Sequence, residues 1–518
     1  MTRIKAIFLT LLLTLTLLAA SGILPRTAEA RPGGGHSSSS HSSSRSSSSS
    51  RSSSWHSSSS HSPSWGNSGS YSGGGGGSSL DSATQFWLLI VLIIVIIIMI
   101  YIMTSNNPPK SISSRPNQII RARQNNVVSQ SLAKLQEHDP NFSSILLLDF
   151  IHLLYSKLYQ YAGRPEFSYL SPFLGEELLQ QHAFLKPQPA EEVVINGIQW
   201  ESVTQSTEQE CISLLIDANY TQQVQGKPTR YAVNERWLLC RQAGLLSPEP
   251  QQMQALSCPH CAAPAHFNDA GVCPYCQTLL HKGEAQWYLH KRVITYSSVL
   301  DTGSLVSYAT EQGTELATIK QPDLKQRIAQ MQRLHALQDW ESYFATFQER
   351  IVKPYFLAIY AHWSARNWEG VRHLLSDRLY EANQFWTDRY KQHNWFNRLD
   401  TLSIQRIELV KLDIDRYYEA ITIRIFASCY DYTEDAQGKL LGGSKRSLRQ
   451  YSEYWTFVRR IRLDQHTETL PLNQCPQCGA PADKMGQAAE CGYCGSKIST
   501  GEFSWVLFLI MQDDVYNG

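Results

Sequence analysis

The chain has 518 residues, enough for two to four domains with ample core. Its formal net charge is +1 with a pI near 7.6, which excludes a global basic field of the kind that draws nucleic acid. Of the eleven cysteines most fall in paired C-x-x-C spacings, which argue for metal and against a disulfide framework; Cys211, Cys240 and Cys429 are scattered and read as small core residues.

Arg3 and Lys5 precede an apolar run over 6–20, and Ala28-Glu29-Ala30 offers small residues where a signal peptidase reads. Residues 1–30 are expected to be a cleaved signal peptide, with an uncleaved anchor helix as the alternative. Residues 31–85 are almost wholly Ser, Gly and His. Such a stretch buries too little apolar area to offset its ordering entropy and is expected to be disordered. The run over 86–103, FWLLIVLIIVIIIMIYIM, has the length and composition of a transmembrane helix. Lys110, Arg115, Arg121 and Arg123 follow it, whereas 66–85 carries no Lys or Arg. Positive-inside reasoning then expects 104–518 in the cytoplasm.

A linker over 104–130 leads to a first domain over 131–250. Asp139-Pro140-Asn141-Phe142 opens into a helix expected over 143–162, apolar almost all round but too short to span a bilayer. Ser171-Pro172 suits the cap of a second helix reaching 181. Strands are expected over 191–205, 209–222 and 229–241.

The next segment, 251–300, holds Cys258, Cys261, Cys273 and Cys276, and 466–518 holds Cys475, Cys478, Cys491 and Cys494. Each set reads C-x-x-C, a spacer, C-x-x-C. Zinc(II) favours four tetrahedral ligands, and a closed set of four cysteines is structural. Pro259, Pro274, Pro476 and Gly492 suit the tight turn that aims two sulfurs at one ion. Two zinc ribbons holding two structural ions are expected, with an iron–sulfur centre or dithiol redox pairs as rivals. A site closed by four sulfurs leaves no open position for catalysis.

A linker over 301–330 separates this from a second domain over 331–465, with helices expected over 340–366 and 368–390 and strands over 402–413, 416–431 and 449–462. In the middle strand Ile421, Ile423, Ile425 and Ala427 alternate with Thr422, Arg424 and Ser428, which predicts one buried face. Motifs recur between the halves. Gly283-Glu-Ala-Gln-Trp287 matches Gly501-Glu-Phe-Ser-Trp505, and Leu174–Leu178 parallels Leu375–Leu379. Tyr231-Ala-Val-Asn-Glu-Arg-Trp237 resembles Tyr451-Ser-Glu-Tyr-Trp455. The cassette thus recurs because a whole unit of helices, strands and ribbon recurs, a tandem duplication rather than a solenoid. The expected fold class is α+β: two tandem helix-plus-antiparallel-sheet domains, each followed by a four-cysteine zinc ribbon, behind a single transmembrane helix.

Asp139-Pro-x-Phe142, the apolar helix, Leu174–Leu178 and the trailing strands resemble the Tim-forty-four-like domain. That is the C-terminal domain of the mitochondrial inner-membrane import-motor scaffold, also found in bacterial membrane proteins. Tyr355-Phe-Leu-Ala-Ile-Tyr-Ala361 and Arg366-Asn-Trp368 resemble it again. The resemblance covers roughly 130–300 and 330–516. It implies a nuclear-transport-factor-two-like fold, an apolar pocket, and contact with membrane lipid or a membrane-associated protein partner. It implies no catalytic residues. Together with the apolar run 86–103 and its basic flank, it gives the expected location: a bacterial inner (cell) membrane, spanned once, with the C-terminal domains cytoplasmic. The mitochondrial scaffold has no such ribbons, so a part in protein or lipid transport is expected by analogy alone.

The expected function is therefore a membrane-anchored binding or scaffold protein and not an enzyme. An enzyme would use the pocket; Asp149 and His152, three apart on one helix face, are its best pair, and a structural polar patch is the stronger reading. A nucleic-acid-binding ribbon would want basic and aromatic residues, and only His281, Lys282, Tyr288, His290, Lys291 and Arg292 offer a patch, so nucleic acid is not expected. Arg446, Arg449, Arg459 and Arg460 face either anionic headgroups or solvent. The tryptophans of the second half, from Trp340 to Trp505, read first as core.

Overall fold

A computed structural model describes residues 127–185, 187–248, 250, 272–273, 275–277, 286–300, 314–461, 474–475, 477–481, 491–494, 499–502, 504–513 and 516. The predicted signal segment, the Ser/Gly/His-rich stretch and the apolar run 86–103 lie outside these residues, as do Cys258 and Cys261. All described residues fall in one compact unit.

After a helical run over 127–138, α1 (Ser144–Gln160) starts at Ser143, whose hydroxyl accepts from the Leu146 N–H. Such a cap satisfies one donor that the first turn would leave free. A 3-10 stretch, Pro165–Phe173, follows, then α2 (Glu176–Leu185). Ser171 and Pro172 therefore sit inside the 3-10 turn and do not cap a helix. The break is enforced at Leu174 and Gly175: Leu174 bridges Leu289, and the Gly175 N–H donates to the Leu289 carbonyl at 2.7 Å. A Cβ at Gly175 would lie 2.7 Å from the His290 carbonyl oxygen, so only glycine admits this approach.

Four strands form the first sheet: β1 (Glu191–Gln205), β2 (Gln209–Val224), β3 (Lys227–Gln242) and β4 (Tyr288–Val299). They run antiparallel in chain order, with Ile212, Leu214, Ile216 and Ala218 of β2 on the fully buried face toward α1.

The second half opens with α3 (Leu324–Leu334), α4 (Trp340–Phe347) and α5 (Lys353–Ser364). The single long helix expected over 340–366 is interrupted by a π-turn, Gln348–Val352, immediately before Pro354. Proline lacks an N–H and its ring displaces the preceding carbonyls, so the ladder widens there. A 3-10 turn, Trp368–Leu374, leads to α6 (Asp377–Gln392), capped by the Ser376 hydroxyl. The second sheet contains β5 (Trp395–Ile414), β6 (Tyr418–Asp435), β7 (Leu440–Gly443), β8 (Arg449–Arg460) and β9 (Val506–Gln512). Its path is β5-β6-β8-β9, with β7 beside β6. Leu375 bridges Leu507 just as Leu174 bridges Leu289.

The fold is a mixture of helices with two antiparallel sheets, but among the described residues no helix is long and apolar enough to cross a membrane. The most apolar helix among the described residues, α1, has 17 residues and carries Asp149, His152 and Lys157, whereas a span needs about 20 apolar residues. The membrane helix and the single-pass inner-membrane location built on it therefore find no support in this structure. Nor does a cysteine cassette simply follow each domain. The chain returns after each cassette to add β4 or β9 to the preceding sheet, so each cassette interrupts the connection into the last strand of its sheet.

The middle strand β6 is buried on both faces, not one. Ile421, Ile423 and Ile425 face the helices of the second half. On the other face Tyr418 and Ala420, with Val458 and Phe508, join the core built around α1. Further along, Arg424 donates to the carbonyls of Leu316 and Thr314 and pairs with Asp513 at 2.9 Å. A segment entering the second half thus covers the end that α1 does not reach.

Candidate functional site

The most distinctive chemistry is the second cysteine set. The Sγ atoms of Cys475, Cys478, Cys491 and Cys494 all lie within 4.8 Å of one another. Cys475 to Cys494 and Cys478 to Cys491 are each 3.8 Å apart. A tetrahedron with Zn–S bonds near 2.3 Å has edges of about 3.8 Å, so the donor set fits zinc. Backbone shapes the knuckle: the Gly479 N–H donates to the Cys475 carbonyl at 2.8 Å, and the Cys475 N–H donates to Ala480 at 2.7 Å. Gly479 has φ +73°, a turn conformation that costs glycine little. Cys475 and Cys491 are buried, while Cys478 and Cys494 are exposed. Of the first set, Cys273 is buried in the core beside α1 and Cys276 is half-buried, with Cys258 and Cys261 outside the described residues.

The other cysteines depart from expectation. Cys211 and Cys240 face each other across β2 and β3, Cα atoms 4.2 Å apart, and are joined by a disulfide. Opposed residues of an antiparallel pair approach this closely, so two cysteines at one ladder position can bond. Nothing in a spacing of 29 residues reveals that opposition. Cys429 is a buried thiol.

Two buried carboxylates, one per half, lie where sheet meets helix. Glu235 accepts from Tyr155 Oη at 3.3 Å, Trp237 Nε1 at 2.8 Å and Arg292 Nε at 2.7 Å, and also from Tyr159. Burial pushes the Glu235 carboxyl up, but Arg292 and these hydrogen bonds outweigh it and hold it below the usual range. Glu453 accepts from Tyr360 Oη at 2.6 Å and Trp455 Nε1 at 3.0 Å. The repeated Glu-x-Trp in the two matching sequence stretches was the available signal for these clusters.

A third matched pair ties each sheet to its last strand. Arg241 bonds Glu210 and Asp139 and lies 4.5 Å from the Trp287 ring; Arg459 bonds Glu419 and lies 4.5 Å from Trp505. Asp139, from the motif that carried the resemblance, also accepts from the Ser247 hydroxyl at 2.6 Å. Of the four arginines weighed for lipid contact, three are committed elsewhere: Arg459 as above, Arg449 to Asp431 at 2.6 Å and Arg460 to Glu502 at 3.5 Å. The described tryptophans of the second half are buried, apart from a half-buried Trp395.

Asp149 and His152 lie at the joint between the halves. Burial and then Arg378 press the His152 ring down to about 3, against a smaller opposing effect of Asp377. Asp149 acts on both Arg378 and Tyr418. The pair is thus part of the packing between α1 and the second half.

The family described as "Tim44-like domain" matches residues 339–469. A search of curated proteins returned no match. Among solved structures, an "Ntf2 like protein involved in plasmid conjugation" is 9% identical, covering 60% of this chain and 88% of that one, with a TM-score of 0.17, too low to carry an argument. The chain therefore carries a Tim44-like domain over residues 339–469.

Proposed function

We propose that this protein is a non-catalytic binding scaffold that holds a protein partner in a transport-related process at a membrane surface. The observation that carries this reading is the match of 339–469 to the Tim44-like domain. Support comes also from what the polar clusters do. Glu235, Glu453, Arg241 and Arg459 are consumed in buried internal bonds, and Asp149 and His152 belong to the joint between halves. Such an arrangement rigidifies a framework and offers no acid–base pair to a substrate.

Within this reading the two halves are a tandem duplication. The same strand order, the Leu174–Leu289 and Leu375–Leu507 bridges and the paired Glu-x-Trp clusters favour it. Each cassette holds one structural zinc, Cys258, Cys261, Cys273 and Cys276 in the first and Cys475, Cys478, Cys491 and Cys494 in the second. Zinc would supply folding energy to a loop that has little core of its own.

The test is chemical cross-linking in the native cells followed by capture of the tagged full chain and quantitative mass spectrometry. Enrichment of one or a few proteins, lost when Phe356→Asp and Trp455→Asp collapse the second core, is expected. Recovery of nucleic acid or lipid alone, or of no partner, contradicts the proposal.

A further inference from the structure

The four sulfurs of the second cysteine set are not equivalent. Cys475 and Cys491 are 0% and 2% exposed and form a small buried cluster of their own, whereas Cys478 and Cys494 are exposed. The chain neighbours of the exposed pair, Gln477, Gly479, Gly492 and Tyr493, are exposed as well. All four sulfurs nevertheless lie within 4.8 Å of one another. Backbone hydrogen bonds follow the same division. Cys475 Sγ accepts the N–H of Gln477 at 3.4 Å and that of Cys478, Cys491 Sγ accepts those of Tyr493 and Cys494, and Cys478 Sγ accepts that of Ala480. An N–H aimed at a sulfur stabilises its negative charge and makes it a poorer nucleophile. One side of the set is therefore buried and held by the chain, and the other faces solvent.

Packing also separates the two cassettes. The last knuckle of the first set makes the same turn as the first knuckle of the second: the Gln277 N–H donates to the Cys273 carbonyl at 2.9 Å, as the Gly479 N–H does to Cys475 at 2.8 Å. Yet Cys273 is buried in the core around α1, and the half-buried Cys276 packs against that core. Cys494, which holds the position of Cys276 in the second set, is exposed. Like sulfurs in like turns thus differ in cover. Oxidation of a thiolate follows its exposure, so an oxidant in solution distinguishes the two cassettes.

We propose that Cys478 and Cys494 are an oxidation site, at which hydrogen peroxide closes a disulfide and opens the second metal site while the first stays intact. The Cys478 thiolate attacks one peroxide oxygen, the O–O bond breaks and hydroxide leaves, so that the sulfur becomes a sulfenic acid. The Cys494 thiolate then attacks that sulfur, forms the S–S bond and expels a second hydroxide. Each sulfur gives up one electron, the peroxide takes both, and two solvent protons turn the hydroxides into water. Cys475 and Cys491 alone then remain as thiolates, too few to close a four-coordinate site. The inference rests on the reading that the second cassette holds zinc.

The test adds one equivalent of hydrogen peroxide to the full chain after elemental analysis has fixed its zinc content. Released zinc is followed with a chromogenic chelator, and the cysteines are mapped by alkylation and mass spectrometry. Loss of one zinc ion per chain is expected, with a peptide pair joined through Cys478 and Cys494 and with Cys258, Cys261, Cys273 and Cys276 still open to alkylation once denatured. Dithiothreitol with added zinc should restore the parent content. Cys478→His keeps a zinc donor and removes the attacking thiolate, so its zinc should survive the same treatment. If that variant is purified with less zinc than the parent, Cys494→His takes its place, and the mapping on the parent stands without either. Release from the first set ahead of the second, or a disulfide through Cys475 or Cys491, overturns the proposal. A zinc-loaded chain indifferent to peroxide overturns this inference alone, whereas a second set that never held zinc overturns the reading beneath it and the inference with it.

Discussion

Glu235 shows how much a single side chain carries. It is fully buried, and Arg292, Tyr155, Tyr159 and Trp237 all donate to it. Truncation leaves a partly buried guanidinium without its counter-charge, and breaking a buried pair costs about 3 kcal/mol or more. Glu235→Ala should therefore lower the thermal midpoint strongly, whereas Glu201→Ala, on an exposed Arg236 pair, should hardly move it. Equal shifts in calorimetry would contradict this ranking. His152 gives a pH dependence of defined sign. Its folded value is depressed to about 3 from 6.5, so the stability it contributes is present above 6.5 and is lost as pH falls toward 3. Asp217 and Asp415 run the other way: burial raises each to about 6, so their contribution is present at low pH and is lost as pH rises through 6. The parent should lose more stability between pH 7 and pH 5 than His152→Leu; identical losses would mean that the ring is not buried neutral.

At the scale of elements, strands were the most legible feature. Alternation in the middle strand of the second half located β6, and the strands expected over 191–205, 209–222 and 229–241 fall on β1, β2 and β3. What alternation does not reveal is a second covered face. Thr422, Arg424 and Ser428 read as solvent-facing, yet a distant segment and α1 cover that side. The π-turn before Pro354 was within reach of the sequence, because a proline inside a helical pattern signals a break. The disulfide was not, because opposition on a ladder depends on register. The ladder position that holds Cys211 and Cys240 in the first sheet holds Ala420 and Val458 in the second, if Glu210–Arg241 is matched with Glu419–Arg459. The sheet therefore does not need the bond to form. The double change Cys211→Ala with Cys240→Val should fold with the parent's circular dichroism and lose about 3–4 kcal/mol under oxidising conditions, the entropy of the opened loop. Excess dithiol should remove most of that difference, and an unfolded variant would show the bond to be required.

Across the whole molecule, the four-cysteine spacing was legible because metal chemistry fixes both residue type and separation, and the second set does converge. The joint between halves was not legible: Arg230, Phe385 and Trp386 lie far apart in sequence and carry no motif of their own. The family resemblance read along both halves finds its match on the second, over 339–469. Its first-half motif has a structural explanation, since Asp139 ties Arg241 to the segment that leaves β3 toward the first cassette.

The claim that each half is built around its own metal module, set just before the last strand of its sheet, is tested most directly by metal stoichiometry. Elemental analysis of the full chain, purified without added metal or chelator, should find two zinc ions per chain, and Cys475→Ser with Cys478→Ser should leave one. Fewer than one zinc in the parent, or iron with labile sulfide in its place, would contradict it.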